Sequence, residues 1–218
     1  MEKPNRSPHA RLWALDADRV FLNHGSFGAT PLAVREDQRK WQDLMEHEPV
    51  RFFEDLVPDI LHTTRKALAH LLSCDADDLA LVENATSGVN TVLRSLRFEP
   101  GDEILVPDHA YQACRNTIDF VAERWGATVV TVNIPFPIQH QDEVIEAVMD
   151  AVSDNTRLAM LDTVTSPTGL LMPYETLVAS LDQKGVDVLL DAAHGIGMIP
   201  LNLDKLGAAY TTSNCHKW

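Results

Sequence analysis

The chain has 218 residues, 45% hydrophobic and 23% charged, an ordinary globular composition long enough for one large domain or two small ones. A net charge of −14 repels phosphate backbones and argues against nucleic acid as a partner. No run approaches the ~18 apolar residues of a membrane span, and residues 1–20 hold no apolar signal segment. Three scattered cysteines, Cys74, Cys114 and Cys215, make neither a CxxC pair nor a disulfide framework, so a reducing cytoplasm is the expected compartment.

Residues 1–20 predict an irregular arm. Residues 33–48 predict an amphipathic helix with Trp41, Leu44 and Met45 on one face. Residues 58–72 predict another, with Ile60, Leu61, Leu68, Leu71 and Leu72 apolar. The texture then changes. Short apolar runs at 79–82, 103–106, 128–134, 158–164 and 186–190 alternate with helical patterns at 87–97, 112–125, 143–153 and 174–184. This rhythm implies an α/β fold with a mostly parallel sheet flanked by helices. Ligands of such sheets sit beyond the carboxyl ends of the strands, so the residues after each apolar run carry the functional information.

After 79–82 comes Glu83-Asn84-Ala85-Thr86-Ser87-Gly88 at the start of a helix. Small residues and hydroxyls there could cradle a phosphate on free N–H groups, or simply cap the helix. After 103–106 come His109 and Tyr111, two flat rings able to stack on an aromatic ligand or to pack a loop. The stretch from Asp162 through Ser166 to Gly169 is rich in hydroxyls and turn residues. After 186–190 comes Asp191-Ala192-Ala193-His194-Gly195. An acid ending a buried strand needs a partner, and a protonated pyridine nitrogen is one; capping the next turn is the other use of Asp191. The chain closes on Asn214-Cys215-His216-Lys217-Trp218. Partial burial of Lys217 would favour the neutral amine that attacks an aldehyde.

Taken in order, these motifs resemble the class V aminotransferase family of fold-type I pyridoxal-phosphate (PLP) enzymes, and within it the isopenicillin-N epimerase-like branch. Leu22-Asn23-His24-Gly25-Ser26-Phe27-Gly28 near the start completes the set, which spans essentially the whole chain. The resemblance implies pyridoxal 5'-phosphate as cofactor, carried as a Schiff base on Lys217, which also moves the α-proton of an amino-acid substrate. It implies that Asp191 pairs with the ring nitrogen. His194 and Ser166 would lie near the ring's 3-hydroxyl. Ala85 and Thr86 would hold the phosphate, with Asn214 and His216 as further contacts. The ring stacker falls on His109 or Tyr111. Asn23, His24, Gly25, Ser26 and Phe27 would lie near the substrate. No metal is implied, and a homodimer is.

The same resemblance divides the chain into an arm with a substrate-side loop at 1–30 and a partial PLP-binding large domain at 31–218. It leaves the C-terminal small domain outside, so the chain reads as a fragment ending just after the lysine. The expected reaction is epimerase-like or aminotransferase chemistry. A cysteine desulfurase or C–S lyase of the same family is the alternative, and a non-catalytic truncated PLP fold is another. A nucleotide-binding oxidoreductase fares poorly, because Gly195-Ile196-Gly197 lacks the third glycine of the fingerprint. Neither a GxSxG elbow nor an HExxH pair is present.

Overall fold

The computed structural model describes residues 6–217, which divide into two compact units. The first runs through Ala80 and takes in the turn at His216; the second is Leu81–Cys215.

In the first unit a 3-10 turn, Pro8–Leu12, is capped by the Ser7 hydroxyl, which accepts from His9 N. Helix α1 is Leu32–His47, and the short α2 is Pro49–Arg51. A π-helical stretch, Phe52–Leu56, leads into α3, Val57–Leu72. The two helices expected from periodicity thus form within one residue of their predicted bounds. Their burial is thin, with only Ala69 and Leu72 buried among the helical residues described in this unit. Val34, Trp41 and Leu44 of α1 are exposed.

The second unit holds five strands in one all-parallel sheet: β1 (Glu103–Pro107), β2 (Thr128–Val132), β3 (Thr156–Asp162), β4 (Asp187–Asp191) and β5 (Tyr210–Thr212). Their order is β2-β1-β3-β4-β5. The crossovers contain α5 (Gln112–Trp125), α6 (Asp142–Asp150), α7 (Tyr174–Asp182) and α8 (Leu203–Leu206), and α4 (Ala85–Ser95) precedes the sheet. Chain order reverses direction between β1 and β3. Such a switch point opens a crevice at the carboxyl ends of those strands.

Side chains alternate across each strand, and both faces are covered. Ile104, Val106, Leu158, Met160 and Leu189 point to one face and pack with Val89 and Leu93 of α4 and Ile118 and Val121 of α5. Leu105, Ala159, Leu161, Val188 and Leu190 point to the other and pack with Val144 and Val148 of α6 and Leu177, Val178 and Leu181 of α7. The result is a three-layer α/β/α sandwich, the predicted class.

One predicted strand is absent. The apolar run 79–82 is not a strand: no other strand pairs with it among the described residues, and the boundary between the units falls inside it. Leu81 and Val82 are 45% and 46% exposed. Local apolarity predicts a strand, but a strand requires a hydrogen-bonding neighbour. The other four runs become β1 to β4 with ends moved by at most two residues. The fifth strand, β5, lies just before the terminal motif.

Leu189 is fully buried in the central layer against α4 and α5. Leu189→Ala should cost about 2–5 kcal/mol in a urea unfolding titration, whereas Leu189→Met should cost under about 1.5 kcal/mol.

Candidate active site at the strand ends

Asp191 is the last residue of β4 and is 3% exposed. Its Oδ1 accepts from Ala193 N at 2.9 Å, so it does cap the turn that follows. Its Oδ2 accepts from Cys114 Sγ of α5 at 3.6 Å. Burial and the nearby Asp191 charge push the Cys114 thiol far up, so it stays protonated and serves as a donor. In the sheet, Asp191 pairs with Asp162 of β3 on one side and Thr212 of β5 on the other. His194, half-buried, lies in the turn after β4.

The start of α4 is tied to the far end of β5. Asn84 caps the helix, its Oδ1 accepting from Ser87 N at 2.8 Å. Asn214 Oδ1 accepts from Ala85 N at 2.8 Å in a buried contact. A Cβ on Gly88 would lie 3.0 Å from Thr212 Cγ2, so this helix approaches β5 closely. The Thr86 side chain lies near the Cys114 thiol and favours its charged form, against the larger effect of burial. The two N–H groups of Ala85 and Ser87 are therefore engaged by asparagine side chains, and Thr86 stands between them.

Across the switch point, the loop after β1 meets the loop after β3. His109 Nδ1 lies 3.2 Å from Thr168 Oγ1, and Thr168 Oγ1 lies 2.6 Å from Thr165 Oγ1. Thr165 Oγ1 also accepts from Leu170 N at 2.9 Å, which closes the turn. The His109 side chain is 13% exposed and its ring stands edge-on to Phe136. Tyr111, which precedes α5, is 45% exposed. Ser166 is exposed at the tip of the loop after β3.

Within the first unit, Asn23 and Ser26 form a turn: Asn23 Nδ2 donates to Ser26 Oγ at 2.8 Å and Ser26 N donates to Asn23 Oδ1 at 3.1 Å. His24 Nδ1 accepts from Ala29 N at 3.3 Å, with Phe21 edge-on to its ring. Gly25 is half-buried and Phe27 is 84% exposed. Gly28 adopts φ +75°, and a Cβ there would lie 1.9 Å from the His216 carbonyl oxygen. The loop thus lies against His216, which is exposed, and Lys217, which is half-buried, at the end of a 3-10 turn. Trp218, the end of the terminal motif, lies outside the described residues.

So the fold gathers Ala85, Thr86, Asp191 and Asn214 in the second unit, and brings the loop containing Asn23 to Phe27 against His216 and Lys217 in the first. Three participants escaped the residue-by-residue reading. Cys114 sits at the apolar helix spacing of Ile118 and Val121 and reads as core. Asp162 ends an apolar run just as Asp191 does, a signal that was available. Thr168 is one hydroxyl among several in its loop. Among the described residues, no group of three or more His, Cys, Asp or Glu could hold a metal ion.

A parallel α/β sheet with helices on both faces and polar side chains beyond its strand ends defines a domain of the doubly wound type. The chain belongs to the aminotransferase class-V family, whose model matches residues 46–218. It is 32% identical over 212 residues to an L-cysteine desulfhydrase of Arabidopsis thaliana, covering 90% of this chain and 47% of that protein. It is 33% identical over 204 residues to isopenicillin N epimerase of Streptomyces clavuligerus, covering 94% of this chain and 51% of that protein. The chain therefore spans about half the length of these relatives. A solved structure of a C-DES mutant with glycine covalently linked to the PLP cofactor superposes with a TM-score of 0.84. That likeness covers 97% of this chain and 56% of the other at 22% identity, and it establishes the shared fold.

Two substitutions probe this geometry. Asn214→Ala removes the acceptor of the buried Ala85 N–H and should cost about 1–3 kcal/mol in urea unfolding, with faster amide exchange at Ala85. Gly28→Ala places a methyl group on the His216 carbonyl at a strained φ. It should lower stability by more than the ~1 kcal/mol that such a φ costs alone, and should shift the amide NMR signals of residues 215–217.

Proposed function

We propose that the chain is the cofactor-binding part of a PLP enzyme that acts on a small amino acid, with Lys217 as the anchoring amine. The observation that carries this reading is Asp191, a buried carboxyl group at a strand end inside the class-V family fold. A buried anion attracts a cation strongly, and a protonated ring nitrogen supplies one at that position.

The residues present fit the group. Thr86 offers an N–H and a hydroxyl at the positive end of α4, where a phosphate would bind. Asn214 fixes that end by holding Ala85 N, so its part in phosphate binding, like that of Ala85, is to orient the helix end. His216 stays a candidate second contact. Of the two candidate stackers we assign His109, because Thr168 holds its ring in place and Tyr111 is largely solvated. His194 and Ser166 are assigned to the neighbourhood of the ring hydroxyl. Thr212 Oγ1, buried and without a hydrogen-bond partner, adds an unused polar atom on the strand next to Asp191.

Bound there, the cofactor supplies an aldehyde that condenses with amines and a ring that withdraws electrons from the substrate α-carbon. Asp191 would keep that ring protonated. Lys217 Nζ would hold the group through its aldehyde, and would also take the proton from the substrate α-carbon or return it. The loop containing Asn23 to Phe27 is assigned to the substrate side. Proton removal at the α-carbon is common to every outcome considered. C–S cleavage is favoured by the desulfhydrase relative and epimerisation by the isopenicillin N epimerase relative. Transamination is a third outcome.

A homodimer belongs to this reading, supported by the exposed apolar side chains of α1. So does a reducing, cytoplasmic setting, supported by three cysteines that are all free thiols. Among the described residues, no helix is long and apolar enough to cross a membrane.

Incubation with PLP, borohydride reduction and peptide mass spectrometry should place one pyridoxyl group on Lys217. Lys217→Ala should abolish that modification, and Asp191→Ala should weaken cofactor affinity at least tenfold. Labelling spread over surface lysines, unchanged in Lys217→Ala, would overturn the assignment. With the cofactor loaded, sulfide release from L-cysteine distinguishes C–S cleavage from exchange of the α-proton alone.

A further inference from the structure

We infer that Asp162 is a positioning residue of this site: a proton-bearing carboxyl group that confines the charge of a buried acid pair to Asp191. The charge assignment stands on the chain's own geometry. Its consequence for the cofactor rests on the reading of Asp191 given above.

Asp162 and Asp191 are direct register partners on adjacent parallel strands. Partners in adjacent strands point to the same face and lie about 5 Å apart. Alternation identifies the face: Leu158, Met160 and Leu189 pack toward α4 and α5, so Asp162 and Asp191 do too. Both are 3% exposed. Two carboxylates at that spacing, out of water, do not both ionise. The surrounding groups decide which one keeps the proton. Asp191 has a backbone N–H on Oδ1 and the Cys114 thiol on Oδ2, and donors favour the charged form. Asp162 Oδ2 is buried with no hydrogen-bond partner in the protein. A carboxylate oxygen left bare in that way is costly, whereas a neutral acid is far less so.

The titratable groups acting on Asp162 agree. Asp191 from β4 repels its charge, Cys114 from α5 is a neutral thiol, and β1 shows only Ile104 and Val106 to this face. Burial first, and the Asp191 charge second, push Asp162 well above the usual carboxylate range. The pair then carries one negative charge, which matches one ring cation. Ionisation of Asp162 would add a second negative charge that one ring cation would not balance.

The test compares the 218-residue chain with its Asp162→Asn variant, a neutral mimic of similar shape. An acid whose folded-state pKa is raised contributes stability that is full below about pH 3.9, its unfolded value. That contribution is lost as pH rises toward the folded value. Asp162→Asn removes this loss. Its folding equilibrium constant relative to the parent should therefore grow from pH 5 to pH 7, by up to about tenfold per pH unit. A constant ratio across that range would overturn the inference. Should the variant fail to fold, the infrared carbonyl band of a buried protonated carboxylic acid in the parent at pH 7 reads the same charge state, and its absence is the adverse result.

For the functional half, PLP absorbance is followed against pH in both proteins. The parent should show a transition with rising pH, from ionisation of Asp162, that Asp162→Asn lacks; superimposable profiles would refute the positioning role. If the stability ratio moves with pH but no cofactor band forms on Lys217, the PLP reading has failed and the acid pair stands. If the band forms and the ratio stays flat, the acid pair has failed and the PLP reading stands.

Discussion

A parallel sheet covered on both faces leaves few places where a polar side chain can emerge. The interior positions of β1 and β4, and residues 158–161 of β3, are committed to one of two apolar layers. Polar chemistry is pushed to the carboxyl ends, where the strands stop and the loops turn toward the helices. Asp162 and Asp191 stand at that limit: each is the last residue of its strand and each is still buried. The rest of the site is organised around the cost of holding those two acids out of water.

That cost is distributed among neighbours. The Ala193 N–H and the Cys114 thiol take up the oxygens of Asp191. Thr86 in turn lies near Cys114, so the start of α4 and the carboxyl group that ends β4 border one buried sulfur. Asn214 secures the same helix end from the strand side. A change at Cys114 would therefore be felt at both the start of α4 and the end of β4. Its apolar neighbours on α5 disguise it as ordinary core.

The two units contrast in how they are held. The second has two continuous apolar layers and a fully paired sheet interior. The first buries few of its helical side chains and presents a row of apolar residues along α1. What ties its N-terminal loop to the terminal turn is a backbone approach that only a glycine permits, at Gly28. The lysine assigned to the chemistry lies in that turn.

Fold class, the main helices and four of the five strands are legible in the amino-acid pattern, because burial periodicity is local: each segment carries its own record of which face is apolar. It also marked the strand ends as the place to look, and so brought Thr86, His109 and Asp191 forward together. The tertiary structure alone decided matters of pairing. Residues 79–82 have a strand's composition but no neighbouring strand, so they form none. Asn214 reaches Ala85 across 129 positions, a contact no local pattern encodes. His109, unlike Tyr111, meets a hydroxyl supplied by a different loop, across the switch point. Asp162 and Asp191 look alike in sequence, each an acid after an apolar run. Strand order made them neighbours, and the unequal supply of hydrogen-bond donors made them different.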